Sequence, residues 1–268
     1  MTYGFIGTGN MGGALVRALC KTVDPKNVFL SNRTAGKAEK LAAEQGNYCT
    51  VTNNETIAKT CNFIFLGVKP QMMAETLMPL QQAFAKRSAS FVLVSMAAGL
   101  SISAIQEMAG GDYPVIRIMP NTACAVGAGM TLYCCSQTVG AERLRDFLEA
   151  MAASGELEEL PEDLIDAGSA VAGCGGAFAC LFMEGLADGG VAIGLPREKA
   201  LRFAAQTLLG TGVLAQVTGQ HPGQMKDSIC SPGGTTIAGV HALESHGFRG
   251  AAMDAVIAAY DRTQELKK

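Results

Sequence analysis

Two glycine-rich turns hold the residues whose chemistry is most readily named. Gly7-Thr8-Gly9-Asn10-Met11-Gly12 has the spacing G-x-G-x-x-G and lies between an apolar run, Tyr3–Ile6, and an amphipathic one, Met11–Cys20. The first glycine permits a tight turn, the second lets the backbone approach a pyrophosphate, and the third lets the helix lie against the strand. Amides at the helix start then face the anion, so the spacing predicts dinucleotide binding by residues 7 to 12. Far along the chain, Ser231-Pro232-Gly233-Gly234-Thr235-Thr236 opens a second helix, Ile237–Glu244. Proline sets the turn, the glycines leave backbone uncovered, and amides and hydroxyls converge on a point that suits a carboxylate. A second anion site points to an acidic substrate held before a nicotinamide, although Ser231 and Thr236 could instead cap the helix.

The end of the second strand selects the nucleotide. Binders of NAD usually place Asp or Glu there to hold the ribose hydroxyls, whereas this chain reads Leu30-Ser31-Asn32-Arg33-Thr34. Ser31, Asn32 and Arg33 would meet a 2′-phosphate with two neutral polar groups and a guanidinium. NADPH is therefore expected in preference to NADH, with a solvated Arg33 as the alternative. Two further strand ends should line the cofactor: Val68-Lys69-Pro70, kept extended because proline disfavours helical geometry before it, and Met119-Pro120-Asn121-Thr122. Asn121 reads equally well as a nicotinamide contact and as a cap of its own turn. Arg117, inside an apolar strand, reads as a structural ion-pair partner.

These residues need a sheet to position them. Tyr3–Ile6, Val28–Leu30, Tyr48–Val51, Phe63–Leu66, Phe91–Val94 and Val115–Ile118 are short apolar runs. Between them, amphipathic stretches such as Met11–Cys20 and Gly36–Gln45 give the alternation of a mostly parallel sheet with crossover helices. A further strand is expected at Gly127–Cys135, a closing helix at Glu142–Ala153 and a linker near residues 155 to 162. Beyond Pro161 the β-branched runs disappear and Ala, Gly and Leu dominate. The expected fold class is thus α/β, with a Rossmann-type dinucleotide-binding domain over 1–160 and an all-helical domain over 161–268.

Composition narrows the partners. Lys+Arg 21 against Asp+Glu 24 gives a net charge of -3, so no broad basic face awaits nucleic acid or an anionic membrane. Nine cysteines, without a CxxC pair, sit among apolar neighbours such as Cys61, Cys134 and Cys180. They read as reduced thiols used as small hydrophobes, which places the chain in the cytoplasm, and no secretory signal is visible. Gly168–Met183 is apolar enough to resemble part of a membrane span, but Glu184 and Asp188 follow and a buried helix is expected. Its Ala172, Gly176, Ala177 and Cys180 would let another helix approach closely. His241 and His246 have no third ligand near them, so no metal site is expected.

The segments Gly4–Gly12, Val68–Pro70 and Met119–Thr122, and above all Asp227–Thr236 followed by His241-Ala242-Leu243-Glu244, resemble pyrroline-5-carboxylate reductase. Ala187-Asp188-Gly189-Gly190 and Gly194-Leu195-Pro196 add to the resemblance, which spans nearly the whole chain. It implies hydride transfer from NAD(P)H to the C=N carbon of 1-pyrroline-5-carboxylate, giving L-proline as the last step of proline biosynthesis. It also implies that Ser231, Gly233, Gly234 and Thr235 hold the substrate carboxylate, with Thr236 near the ring nitrogen. The helical domain is implied to interlock with that of a second subunit, forming a homodimer that in some members assembles further. Where many members read Ser-Gly-Ser-Gly-Pro-Ala-Tyr, this chain has Ala172-Gly173-Cys174-Gly175-Gly176-Ala177-Phe178, which leaves Cys174 without an assigned role.

The chemistry agrees with what the sequence lacks. Reducing a ketone puts charge on oxygen and calls for an acid such as His or Lys, yet no lysine lies on the glycine-rich helices between Asp163 and Ile193. A cyclic imine can arrive protonated, so positioning carries most of the rate, with Thr236 as orienting group and proton relay. A related imine or hydroxyacid reductase and a non-catalytic NADPH sensor are the other two classes.

Overall fold

The structure is a computed structural model that describes residues 1–266. Its first compact unit comprises Met1–Cys174 with the described chain from Tyr260 to Leu266, and its second comprises Gly175–Ala259.

Eight strands build the first unit: β1 (Tyr3–Ile6), β2 (Val28–Ser31), β3 (Thr50–Val51), β4 (Phe63–Leu66), β5 (Val92–Ser95), β6 (Val115–Pro120), β7 (Gly129–Cys135) and β8 (Gly155–Glu159). They form one sheet in the order β3-β2-β1-β4-β5-β6-β7-β8. Every pairing is parallel except β6 with β7. The order reverses at β1, where the carboxyl ends of β1 and β4 leave the crevice in which such sheets take their ligands. Helices α1 (Asn10–Leu19), α2 (Ala35–Glu44), α3 (Asn54–Thr60), α4 (Met73–Leu77), α5 (Gln81–Ala85), α6 (Ile102–Ala109), α7 (Ala141–Met151) and α8 (Ile165–Ala172) cover its faces.

Strand alternation divides the core. Phe5, Phe63 and Phe65 point to the face covered by α1 and α7, where Leu15, Val16 and Phe147 meet them. Ile6, Ile64 and Leu66 point to the opposite face, toward Leu77, Phe84 and Ile105. Phe5 stacks on Phe65 with ring centroids 4.3 Å apart. Burial pushes the thiol of Cys61 up to about 11 and that of Cys134 up to about 12, so both behave as protonated, inert hydrophobes.

The expected linker near residues 155 to 162 is instead occupied by β8, which pairs parallel with β7 from Gly129 opposite Gly155 to Tyr133 opposite Glu159. Gly-Glu-Leu-Glu-Glu lacks the β-branched signature because this is an edge strand, largely solvated and kept from further pairing by its charges. The Arg117 reading holds: the guanidinium, 3% exposed, bonds Asp166 at 2.6 Å and Glu162 at 3.5 Å. That buried pair ties α8 to β6, which is why the first helix after residue 161 packs with the sheet.

The second unit is helical: α9 (Gly175–Ala192), α10 (Arg197–Thr218), α11 (Pro222–Ile229), α12 (Thr235–Ser245) and most of α13 (Phe248–Glu265). Ala187 on α9 and Ala200 and Ala204 on α10 form its small core with Met183 and Val191. The expectation of a buried helix around Gly168–Met183 is corrected for the chain by itself, since within that stretch only Ala170 is buried. Cys180, expected among apolar neighbours, is likewise exposed. The reason is physical: α9 is apolar apart from Glu184 and Asp188, while its own chain covers only one of its sides. By length and composition the helical stretch Glu162–Ala192 could cross a membrane, but Glu162 and Asp166 at its start are bonded to Arg117 and Asp188 pairs with Arg197.

Candidate active site

In the first unit the glycine-rich turn is built as its spacing predicts. Gly7 has φ +100, and a Cβ there would lie 2.6 Å from the carbonyl carbon of Gly67, so the ends of β1 and β4 meet only as two glycines. A Cβ on Gly12 would lie 2.3 Å from the Gly7 carbonyl oxygen, which is the close helix-to-strand approach expected of the third glycine. Around Gly9 a Cβ would meet nothing within 4 Å, leaving that backbone open. Gly9 begins α1 without a side-chain cap, and Gly13 is the first amide bonded back, to the Gly9 carbonyl at 2.8 Å. The amides of Asn10, Met11 and Gly12 therefore lack intrahelical acceptors, and no acid stands in the first turn to compete with an anion.

A cavity of about 200 Å³ opens beside this turn, lined in part by Thr8, Gly9, Asn10, Lys37 and Lys40. Thr8 is 6% exposed, and its Oγ1 is buried without a hydrogen-bond partner. An orphaned hydroxyl, open amides and two ammonium groups at one place fit a dinucleotide's phosphates.

The end of β2 is arranged differently from the sequence expectation. Ser31 is buried and its Oγ donates to Asn54 Oδ1 at 2.6 Å. Asn32 accepts from the Thr8 amide at 3.0 Å and donates to the Thr34 carbonyl at 3.0 Å, so it ties the glycine-rich turn to the β2 loop. Arg33, by contrast, is exposed and makes no hydrogen bond or ion pair among the described residues. Residue spacing gives no sign of Asn54 or Lys37. Asn54 lies on α3, after another strand, and Lys37 reads as one of several solvated charges on α2.

The loop after β4 is extended at Lys69, with φ -63 and ψ 148, and Pro70 starts a short 3-10 turn; Val68 precedes them, partly buried. Asn121 sits at the carboxyl end of β6. Its Oδ1 caps the next turn by accepting from the Ala123 amide at 3.2 Å, and its Nδ2 donates to the Ala172 carbonyl at 3.1 Å. Of its two sequence readings, the self-capping one is the geometry present.

In the second unit, Ser231–Gly234 form a turn closed by the Gly234 amide on the Ser231 carbonyl at 3.0 Å, with Gly233 at φ +65. A left-handed residue after proline is the demand of a type II turn, which glycine meets without strain. Gly234 immediately precedes α12, whose start receives no side-chain cap. The amides of Thr235, Thr236 and Ile237 precede the first helical bond, from Ala238 to Gly234 at 3.4 Å. Thr235 and Thr236 are exposed, and neither hydroxyl has a partner among the described residues. Ser231 Oγ lies directly over Gly234, where a Cβ would come within 2.3 Å of it. On α11, just before the turn, Asp227 raises the pKa of Lys226 and keeps a cation beside Cys230. The three histidines are structural or solvated: His221 accepts from the Gly223 amide at 3.1 Å and His246 bonds the Ala242 carbonyl. Among the described residues no group of His, Cys, Asp and Glu could hold a metal.

Two family models match different parts of the chain. Residues 162–266 match the family model described as pyrroline-5-carboxylate reductase dimerisation, and residues 2–99 match NADP oxidoreductase coenzyme F420-dependent. A pyrroline-5-carboxylate reductase of Synechocystis sp. is 40% identical over 267 residues, covering 99% of this chain and 98% of that protein. The Pisum sativum enzyme of the same name is 36% identical over 265 residues, covering 99% and 96%. A crystal structure of pyrroline carboxylate reductase from Plasmodium falciparum with NADP bound is 30% identical, with TM-score 0.89 over 100% of this chain and 98% of that one. Similarity of this extent across both units, together with the Pro-Gly turn ahead of α12, means that the chain belongs to the pyrroline-5-carboxylate reductase family.

Proposed function

We propose that this chain, which reduces 1-pyrroline-5-carboxylate to L-proline, takes NADPH in preference to NADH and holds its substrate by the carboxylate on the turn at Ser231, Gly233, Gly234 and Thr235. The observation that carries the substrate assignment is the uncapped start of α12, where amides and two unpartnered threonine hydroxyls lie together. Thr236 orients the ring nitrogen and relays its proton. When bound, the reduced nicotinamide supplies a hydride. The protein supplies position: an iminium held by its carboxylate needs no strong acid beside it. Mixing the protein with NADPH and the imine should bleach the nicotinamide absorbance and yield L-proline. Bleaching with keto acids but not with the imine would move the reading to a hydroxyacid reductase.

The dinucleotide rests on Gly7, Thr8, Gly9, Asn10, Met11 and Gly12, with Val68, Lys69, Pro70 and Asn121 beside it. With the Ser31 hydroxyl donating to Asn54 and the Asn32 side-chain nitrogen to the Thr34 carbonyl, discrimination for the 2′-phosphate falls to Arg33, aided by Lys37 from the adjoining cavity. One charge-assisted contact at an exposed site supports about a tenfold effect. Arg33→Ala should accordingly raise KM for NADPH about tenfold and leave KM for NADH unchanged in steady-state assays. An equal change in both constants would remove Arg33 from the discrimination.

The helical region 161–268 pairs two copies into a homodimer, a reading supported by its exposed apolar side chains and by the match to a dimerisation model. All nine cysteines are free thiols, which fits a cytoplasmic protein.

A further inference from the structure

Two of those thiols face each other. Cys20 ends α1 and Cys49 immediately precedes β3, and their sulfurs lie 3.9 Å apart. Among the described residues no other two cysteine sulfurs come within hydrogen-bonding distance of each other. Cys49 is buried, Cys20 is partly exposed, and both border the core on the α1 face of the sheet. Contact with the Cys20 thiol lowers the pKa of Cys49, while Cys20 itself is raised. Deep thiols such as Cys61 and Cys134 are only raised, so among these four Cys49, with the Cys20 thiol donating to it, is the sulfur disposed to act as the thiolate.

We propose that Cys20 and Cys49 are an oxidation site at which a peroxide joins the two sulfurs in a disulfide. Hydrogen peroxide converts one thiol to a sulfenic acid and leaves as water. The second sulfur attacks the first, its proton leaves with the departing hydroxide as a second water, and the two thiols together have lost two electrons and two protons. The sulfurs need close only from contact to about 2.05 Å. The ring so formed encloses β2, the loop with Arg33, and α2 with Lys37. It therefore clamps the chain segment that carries the first strand's partner, restricting the unfolded chain while leaving the glycine-rich turn in place.

The test uses the full chain, fully reduced and then treated with hydrogen peroxide. Titratable thiols should fall from nine to seven, and peptide mass mapping should find Cys20 linked to Cys49. The thermal midpoint should rise by several degrees, and dithiothreitol should restore all nine thiols and the original midpoint. Cys20→Ser and Cys49→Ser should each abolish the cross-link and the thermal shift while retaining turnover, since neither residue belongs to the cofactor or substrate machinery. A constant thiol count, a cross-link between other cysteines, or sulfinic acid at Cys20 or Cys49 without a link would overturn the proposal.

Discussion

Thr236→Ala should lower kcat by about a hundredfold while leaving the dissociation constant for NADPH within a factor of two. The size follows from what is removed. A hydroxyl that orients and relays a proton in the transition state is worth about two powers of ten or more, or ~2.7 kcal/mol. The cost does not arise from folding, because Thr236 is exposed on the first turn of α12 and its hydroxyl bonds nothing among the described residues. Alanine is also a better helix former than threonine, so the thermal midpoint should hold or rise slightly. The cofactor residues lie in the first unit, which has its own core on both faces of the sheet. Binding measured by nicotinamide fluorescence should therefore be untouched. Thr236→Ser keeps the hydroxyl and should recover most of the rate, a rescue that a purely steric role for the threonine methyl would not give. A turnover within threefold of the parent in Thr236→Ala would take the residue out of the chemistry.

Residue order discloses whatever depends on local rules. Strand β1, its turn and α1 are legible because Gly7 and Gly12 each answer a backbone constraint, a positive φ in one case and contact with the Gly7 carbonyl in the other. The turn before α12 is legible for the same reason, since Pro232 followed by Gly233 encodes its own geometry. Side-chain destinations are not. Ser31 and Asn32 carry donors that a phosphate could use, yet Ser31 donates to Asn54 and Asn32 spans from the Thr8 amide to the Thr34 carbonyl, and both Asn54 and Thr8 come from elements distant in sequence. Asn121 is ambiguous as a letter in the sequence because a cap and a ligand contact use the same amide. Strand β8 is hidden because edge strands are defined by a neighbour's hydrogen bonds, and Glu156, Glu158 and Glu159 mask the pattern. The helix around Ala177–Met183 misleads in another way. Apolar composition predicts that a surface will be covered, but it does not say whether the same chain or another copy covers it.

That last distinction leads to the effect expected to be largest. Val213→Glu should convert the proposed homodimer to a monomer in light scattering, abolish measurable turnover, and leave NADPH binding intact. Along α10, Leu209, Val213 and Val217 follow one another at four-residue intervals and are all exposed, Val217 at 80%. Leu181 on α9 is 70% exposed, and Met253 and Ile257 repeat the pattern on α13. Each such side chain gains about 1.5–3 kcal/mol on full burial, so a unit whose own core is little more than three alanines has most of its stabilisation still available. In the proposed homodimer a partner copy supplies it. Placing a carboxylate in that surface makes association bury an unpaired charge, a penalty of several kcal/mol that outweighs the apolar burial around it. The turn bearing Ser231 and Thr236 opens α12, of which no residue is buried by its own chain, so in the proposed homodimer its amides depend on the partner for their register. Without a partner the helices loosen and the substrate's carboxylate loses its seat, whereas the glycine-rich turn, built on the sheet, keeps its shape. A double readout separates this from global unfolding: circular dichroism and cofactor fluorescence should show the first unit intact in the monomer. A parent chain that runs as a monomer, or a Val213→Glu variant that stays dimeric and active, would show that these apolar faces serve something other than self-association.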